Sequence, residues 1–106
     1  MLDNRLTYIG KYVAYDYESI TIDNTVGGVG LTSAKLTTTP KPIRVIITIE
    51  AATLRYRYDG TSPTSSEGHI LNANDVLIIE GISNMKNLKM IRTTTTSAIV
   101  RVSYER

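Results

Sequence analysis

Few side chains in this sequence are suited to chemistry. His69 stands close to Glu67 and follows Ser65 and Ser66, so a Ser/His/acid arrangement can be drawn in which imidazole takes a hydroxyl proton. Such a site also needs a group that orients the base and an oxyanion hole, and the sequence offers neither. The expected role of His69 is a hydrogen bond that anchors its loop. Asp59, Asp75 and Glu80 are oxygen donors of the kind Ca²⁺ takes, but the ion wants six or more, and no Asp-x-Asp-x-Asp-Gly spacing is present. Turn formation is the expected work of these aspartates. Gly27, Gly28 and Gly30 are close enough to cradle a phosphate. No helix start and no Gly-Lys-Ser/Thr follows them, so a P-loop is excluded and a bend, bulge or flexible turn is expected. Arg55 and Arg57 interleave with Tyr56 and Tyr58 as a single-strand nucleic-acid platform would. Alternate residues of a strand face opposite ways, however, so the guanidinium groups and the rings cannot share one surface. A solvated outer face is expected for the two arginines.

The elements that carry these residues follow a period of two. Ile20 and Ile22 alternate with Thr21 and Asp23, which predicts a short strand. Ile43, Val45, Ile47 and Ile49 share one face of the strongest strand, with Arg44, Ile46, Thr48 and Glu50 on the other. Ala51-Ala52 breaks it before Leu54, Tyr56 and Tyr58. The short gap predicts either a hairpin or a strand that crosses between sheets at a bend. Asp59-Gly60 is a turn, and Pro63 fixes another in a loop that runs to about residue 68. Val76 to Glu80 is almost wholly apolar and is expected to be covered on both faces. Gly81 to Asn87 reads as loop and Leu88 to Arg92 as strand. Ala98, Val100, Val102 and Tyr104 alternate along a closing strand. No segment shows sustained helical periodicity. The fold class is therefore all-β: an antiparallel β-sandwich of about seven strands, with immunoglobulin-like and jelly-roll topologies both open.

Composition bounds the rest. A chain of 106 residues fits one domain with one core. It has no Cys, which excludes disulfides, thiolate metal sites and cysteine nucleophiles, and its one His excludes any site built from two imidazoles. A net charge of +2, with scattered basic residues, gives no clustered face for nucleic acid. Apolar runs of a few residues do not span a membrane, and Met1-Leu-Asp-Asn-Arg-Leu-Thr lacks the layout of a signal peptide. No cofactor or metal is expected, and no enzymatic activity.

Residues 1–18 differ from the sandwich at 19–106 and are expected to form an N-terminal arm or an added edge strand. They hold Tyr8, Tyr12, Tyr15 and Tyr17, four of the seven tyrosines. Tyr buries large area at low entropic cost, so these rings are the candidate interface. Packing on the domain's own edge is the alternative.

One resemblance adds to this reading. Arg55-Tyr56-Arg57-Tyr58-Asp59-Gly60-Thr61-Ser62-Pro63-Thr64, followed in order by Gly68-His69, Val76 to Ile79, Ile91-Arg92 and Val102-Ser103-Tyr104, resembles small tailed-bacteriophage virion proteins. With Gly27-Gly28-Val29 and Leu31 upstream, the likeness covers about residues 19 to 106. It implies a capsid decoration or head–tail accessory protein, located in the virion and assembled in the host cytoplasm. The implied partners are the major capsid protein or other virion proteins, with a homo-oligomer, dimer or trimer, as the working unit. A shorter segment, Tyr56 to Thr64, resembles immunoglobulin-like domains appended to bacterial hexosaminidases. That likeness implies the alternative, a carbohydrate-binding or receptor-facing module.

Overall fold

Val45, Ile47 and Ile49 are fully or almost fully buried, and the two-residue repeat that places them there sets the centre of the larger sheet. The structure is a computed structural model, and it describes residues 11–106. Its elements are β1 (Ala14–Ile22), α1 (Ser33–Thr37), β2 (Arg44–Glu50), β3 (Leu54–Arg57), β4 (His69–Leu71), β5 (Val76–Glu80), α2 (Ile82–Asn87), β6 (Lys89–Arg92) and β7 (Ala98–Glu105). Two antiparallel sheets result, one ordered β1-β7-β2-β5 and one ordered β4-β3-β6. The all-β sandwich expected from the periodicity is the fold.

The two inner faces meet through alternate residues. Ile22 of β1, the β2 residues above, and Val100, Val102 and Tyr104 of β7 face Leu54, Leu71 and Met90 of the smaller sheet. Full burial of a side chain of this size contributes about 1.5–3 kcal/mol, so these positions hold the sheets together. Met85 and Leu88 are also fully buried.

Between β2 and β3 the chain crosses from one sheet to the other, so the bend and not the hairpin connects them. Ala51 sits at φ 76, in left-handed backbone, where the crossing turns. β1 runs unbroken through residues 18 and 19 at the edge of the larger sheet, so Tyr15 and Tyr17 belong to a strand.

Three expectations need correction. β5 pairs only with β2 at the edge of its sheet, and its apolar run is not covered on both faces, because Ile78 on the outer face remains 41 % exposed. The segments 33–37 and 82–87 are helical; at five and six residues they are too short for a 3.6-residue period to be legible. Arg44 is buried despite lying on the outward face of β2, because it pairs with Glu105 of β7 and its guanidinium carbon stands 4.7 Å from the Tyr12 ring centroid.

Candidate functional site

An aromatic cluster at the end of β3 and the start of β4 is the most distinctive surface feature. Tyr56 and Tyr58 are two residues apart and so lie on one side of the chain. Tyr56 is the register partner of His69 across the β3–β4 ladder. The three rings consequently cluster, with Tyr56 stacked on Tyr58 at 6.2 Å between centroids and His69 tilted against both, at 5.2 Å from Tyr56 and 6.4 Å from Tyr58. Such separations are those of favourable offset and tilted ring pairs. Tyr56 packs against the core, and burial pushes its phenol up from the ordinary value. Tyr58 is exposed.

The loop from Asp59 to Gly68 is held by the two arginines of β3. Arg57 reaches Asp59 with a two-pronged contact, Nη2 to Oδ2 at 2.6 Å and Nε to Oδ1 at 3.1 Å. That contact holds the Asp59 carboxyl down at about 2. Arg55 donates to the Ser65 carbonyl at 3.1 Å and to the Gly68 carbonyl at 2.8 Å. Gly68 adopts φ +138, and a Cβ there would stand 3.1 Å from the Tyr56 carbonyl oxygen. Arg55 and Arg57 are therefore tethers of this loop, where a merely solvated face was expected.

Two depressions flank the cluster. One, of about 610 Å³, is lined by Arg57, Tyr58, Asp59, Glu67 and His69. The other, of about 460 Å³, opens between the sheets and is lined by Tyr56, Tyr58, Leu77, Ile79 and Asn84. The first offers rings beside charged side chains, and the second offers rings and aliphatic side chains beside a few hydrogen-bonding groups.

The acid–base arrangement drawn for His69 does not form. The contacts of its imidazole are with the two tyrosine rings, in place of the anchoring hydrogen bond expected from sequence. The nearby Ser66 hydroxyl instead faces the Thr64 hydroxyl at 3.4 Å. The three acidic candidates are also kept apart. Asp59 is held by Arg57, Asp75 accepts the Asn72 N–H at 2.7 Å in the turn before β5, and Glu80 lies at the far end of that strand. Among the described residues no group of three or more His, Cys, Asp or Glu could hold a metal ion. The glycine segment is a turn, closed by Gly28 N–H to the Thr25 carbonyl at 2.9 Å, after which Val29 forms a bridge with Met90.

The tyrosines singled out near the N-terminus have separate surroundings. Tyr8 lies outside the described residues. Tyr12 packs beneath the Arg44 guanidinium, and the Tyr15 ring has the Arg106 guanidinium carbon 3.8 Å from its centroid. Tyr17 is 55 % exposed on the outer face of the larger sheet, with its hydroxyl 3.1 Å from that of Ser19. That hydroxyl, and then Arg101, hold the Tyr17 phenol below its ordinary value.

Tyr104, at the end of the core, donates to the Glu18 carboxylate, and burial raises its phenol well above the ordinary range. Glu18 also accepts from the Thr32 hydroxyl at 2.5 Å, which ties the segment before α1 to β1. Sequence reasoning missed the Tyr56–Tyr58–His69 cluster because His69 was weighed as a base or as a hydrogen-bonded loop anchor, and not as a ring partner. The signal lay in the pairing of an aromatic strand with the short strand that follows its loop.

Comparison with protein-family models, with curated proteins and with solved structures found no match.

Proposed function

We propose that this protein is a non-enzymatic structural component of a phage virion, a capsid decoration or head–tail accessory protein that acts through multivalent protein–protein contacts. The supporting observation is the exposure of large apolar side chains on and beside the strands: Tyr58 just past β3 and Ile78 of β5 at the cleft, and Ile70 on the edge strand β4. Side chains of this kind, fixed on a scaffold, are what a contact surface requires. Repeated on a symmetric lattice, weak contacts of this size sum to firm attachment through effective concentration. The segments that resemble virion proteins supply β3 with its turn, the start of β4, β5, the end of β6 and β7. They cover strands of both sheets. Labelled protein is added to virions assembled without it, and bound copies are counted against free concentration. Saturation at a fixed number per particle is expected; binding that never saturates would refute the proposal.

The stacked rings favour one second reading, a carbohydrate-binding module. Tyr58 with His69 offers an aromatic surface, and Arg57, Asp59 and Asn84 offer hydrogen-bonding groups beside it. Binding on a glycan array that is lost in Tyr58→Ala would establish it in place of the first.

A further inference from the structure

We infer that the free edge of β5 is a self-association site, at which a second copy of this chain adds its own β5 in antiparallel pairing. The inference names a surface for the contacts proposed above and rests on that reading only for its biological use.

The ladder determines which backbone groups are available. In the β2–β5 pair, Gly81 N–H donates to the Ile43 carbonyl and Ile49 N–H to the Asp75 carbonyl, so the odd-numbered residues of β5 bond inward to β2. The even-numbered residues Val76, Ile78 and Glu80 then point N–H and C=O away from the sheet. Among the described residues, the groups of Val76 and Ile78 meet no hydrogen-bond partner there. The Glu80 carbonyl accepts from the Asn84 side chain at 3.0 Å and keeps a second lone pair.

The other edges are irregular at one end, short or covered in part. β1 shifts register between Ala14 and Asp16, and the Asp16 carboxylate takes the Tyr17 N–H at 2.8 Å. β4 is three residues long, and β6 is met by the Val29 bridge. Irregularity, charge, shortness and cover are the usual protections of an edge, and β5 has none of them along Val76 to Ile79.

A second copy is the occupant that suits this strand. Antiparallel pairing centred on Ile78 sets Ile78 opposite its own counterpart and Val76 opposite Glu80, so no like charges face each other. On the inner side, the incoming Leu77 and Ile79 enter the cleft lined by Tyr56, Tyr58, Leu77 and Ile79, and each copy fills that of the other. On the outer side, the row Tyr17, Ser103, Ile46, Ile78 that crosses all four strands continues into its counterpart. A two-fold contact of this sort is isologous and closes at the dimer.

The test is sedimentation equilibrium of the full chain, with circular dichroism to verify folding. The apparent mass is expected to rise with concentration from 11.7 kDa toward twice that value. Ile78→Lys sets two charges opposite each other at the centre of the pairing and should hold the mass at 11.7 kDa. Ile78→Pro removes an N–H that β2 does not use, so it should do the same while the monomer stays folded. Because the chain has no cysteine, Ile78→Cys gives a direct proximity measurement. Residues paired this way stand about 5.5 Å apart, within disulfide reach. Cross-linking at least about tenfold faster than in Thr21→Cys, on the opposite edge strand, is expected. A monomer at every concentration up to about 1 mM, the weak end of specific association, overturns the inference. So does a dimer indifferent to both Ile78 variants, or equal cross-linking in the two cysteine variants. A dimer that fails to bind particles would sink the virion proposal alone, and a monomer that binds them would sink this inference alone.

Discussion

Glu105→Ala should be among the most damaging single substitutions in this protein. Arg44 and Glu105 are register partners across β2 and β7, and each side chain is 7 % exposed. Removing the carboxylate leaves a buried guanidinium without that counter-charge, a loss of about 3–5 kcal/mol for pairs of this kind. The pair lies at the end of the sheet, so the lower figure, about 3 kcal/mol, is the one expected. For a domain near 100 residues, about 4–5 °C of melting temperature accompanies each kcal/mol, which gives a fall of about 12–15 °C. The double variant Arg44→Met/Glu105→Leu removes both charges and keeps the volume, and should lie within about 1 kcal/mol of the parent. Urea unfolding of the parent, Arg44→Met, Glu105→Leu and the double closes a cycle, with a coupling of about 2 kcal/mol or more expected. Singles that each lose less than about 1 kcal/mol and add without coupling would mean that the pair behaves as a surface ion pair, and the reasoning would fail.

Other outcomes follow from the same contacts. The Asp59 carboxyl, followed by NMR, should titrate at about 2 and return to the ordinary carboxylate range in Arg57→Gln. Because its folded value lies below 3.8, the tether it forms is complete above that pH and is lost as pH falls toward 2, so loop 59–68 should loosen in that window. Gly28→Ala should destabilise by about 1–3 kcal/mol in thermal melts. Gly28 holds φ +82, and a Cβ there would stand 2.9 Å from the Lys89 Cβ and 3.3 Å from the Met90 backbone. Tyr104→Phe should cost about 1.5–3 kcal/mol in urea titrations, because the Glu18 carboxylate loses the hydroxyl that donates to it.

Where side chains alternate inward and outward, the sequence was enough to read the fold. β2 and β7 were legible residue by residue, because burial on one face of a pleated strand leaves a period of two that nothing local disturbs. The exceptions are Ile43, which precedes the paired stretch and stays exposed at the sheet end, and the paired Arg44 and Glu105, which are buried on the outward face. β5 misled for a physical reason. An unbroken apolar run reports that neither side-chain face is strongly polar, and it says nothing about whether another layer covers the outer face. The Arg44–Glu105 pair was invisible because its partners are far apart in sequence and meet only through β2–β7 registration. The aromatic cluster was half legible: the ring spacing on β3 was plain, but the join to His69 depends on the register of a three-residue strand.

In the proposed role, a stiff sandwich acts through what its exposed rings and strand edges touch. Counting its copies by quantitative mass spectrometry in virions purified from the host of the genome that encodes it tests that claim most directly. A fixed number per particle, in constant ratio to the major capsid protein or to a head–tail component, is the predicted result. Virions that carry none of this chain while it accumulates elsewhere would contradict the account.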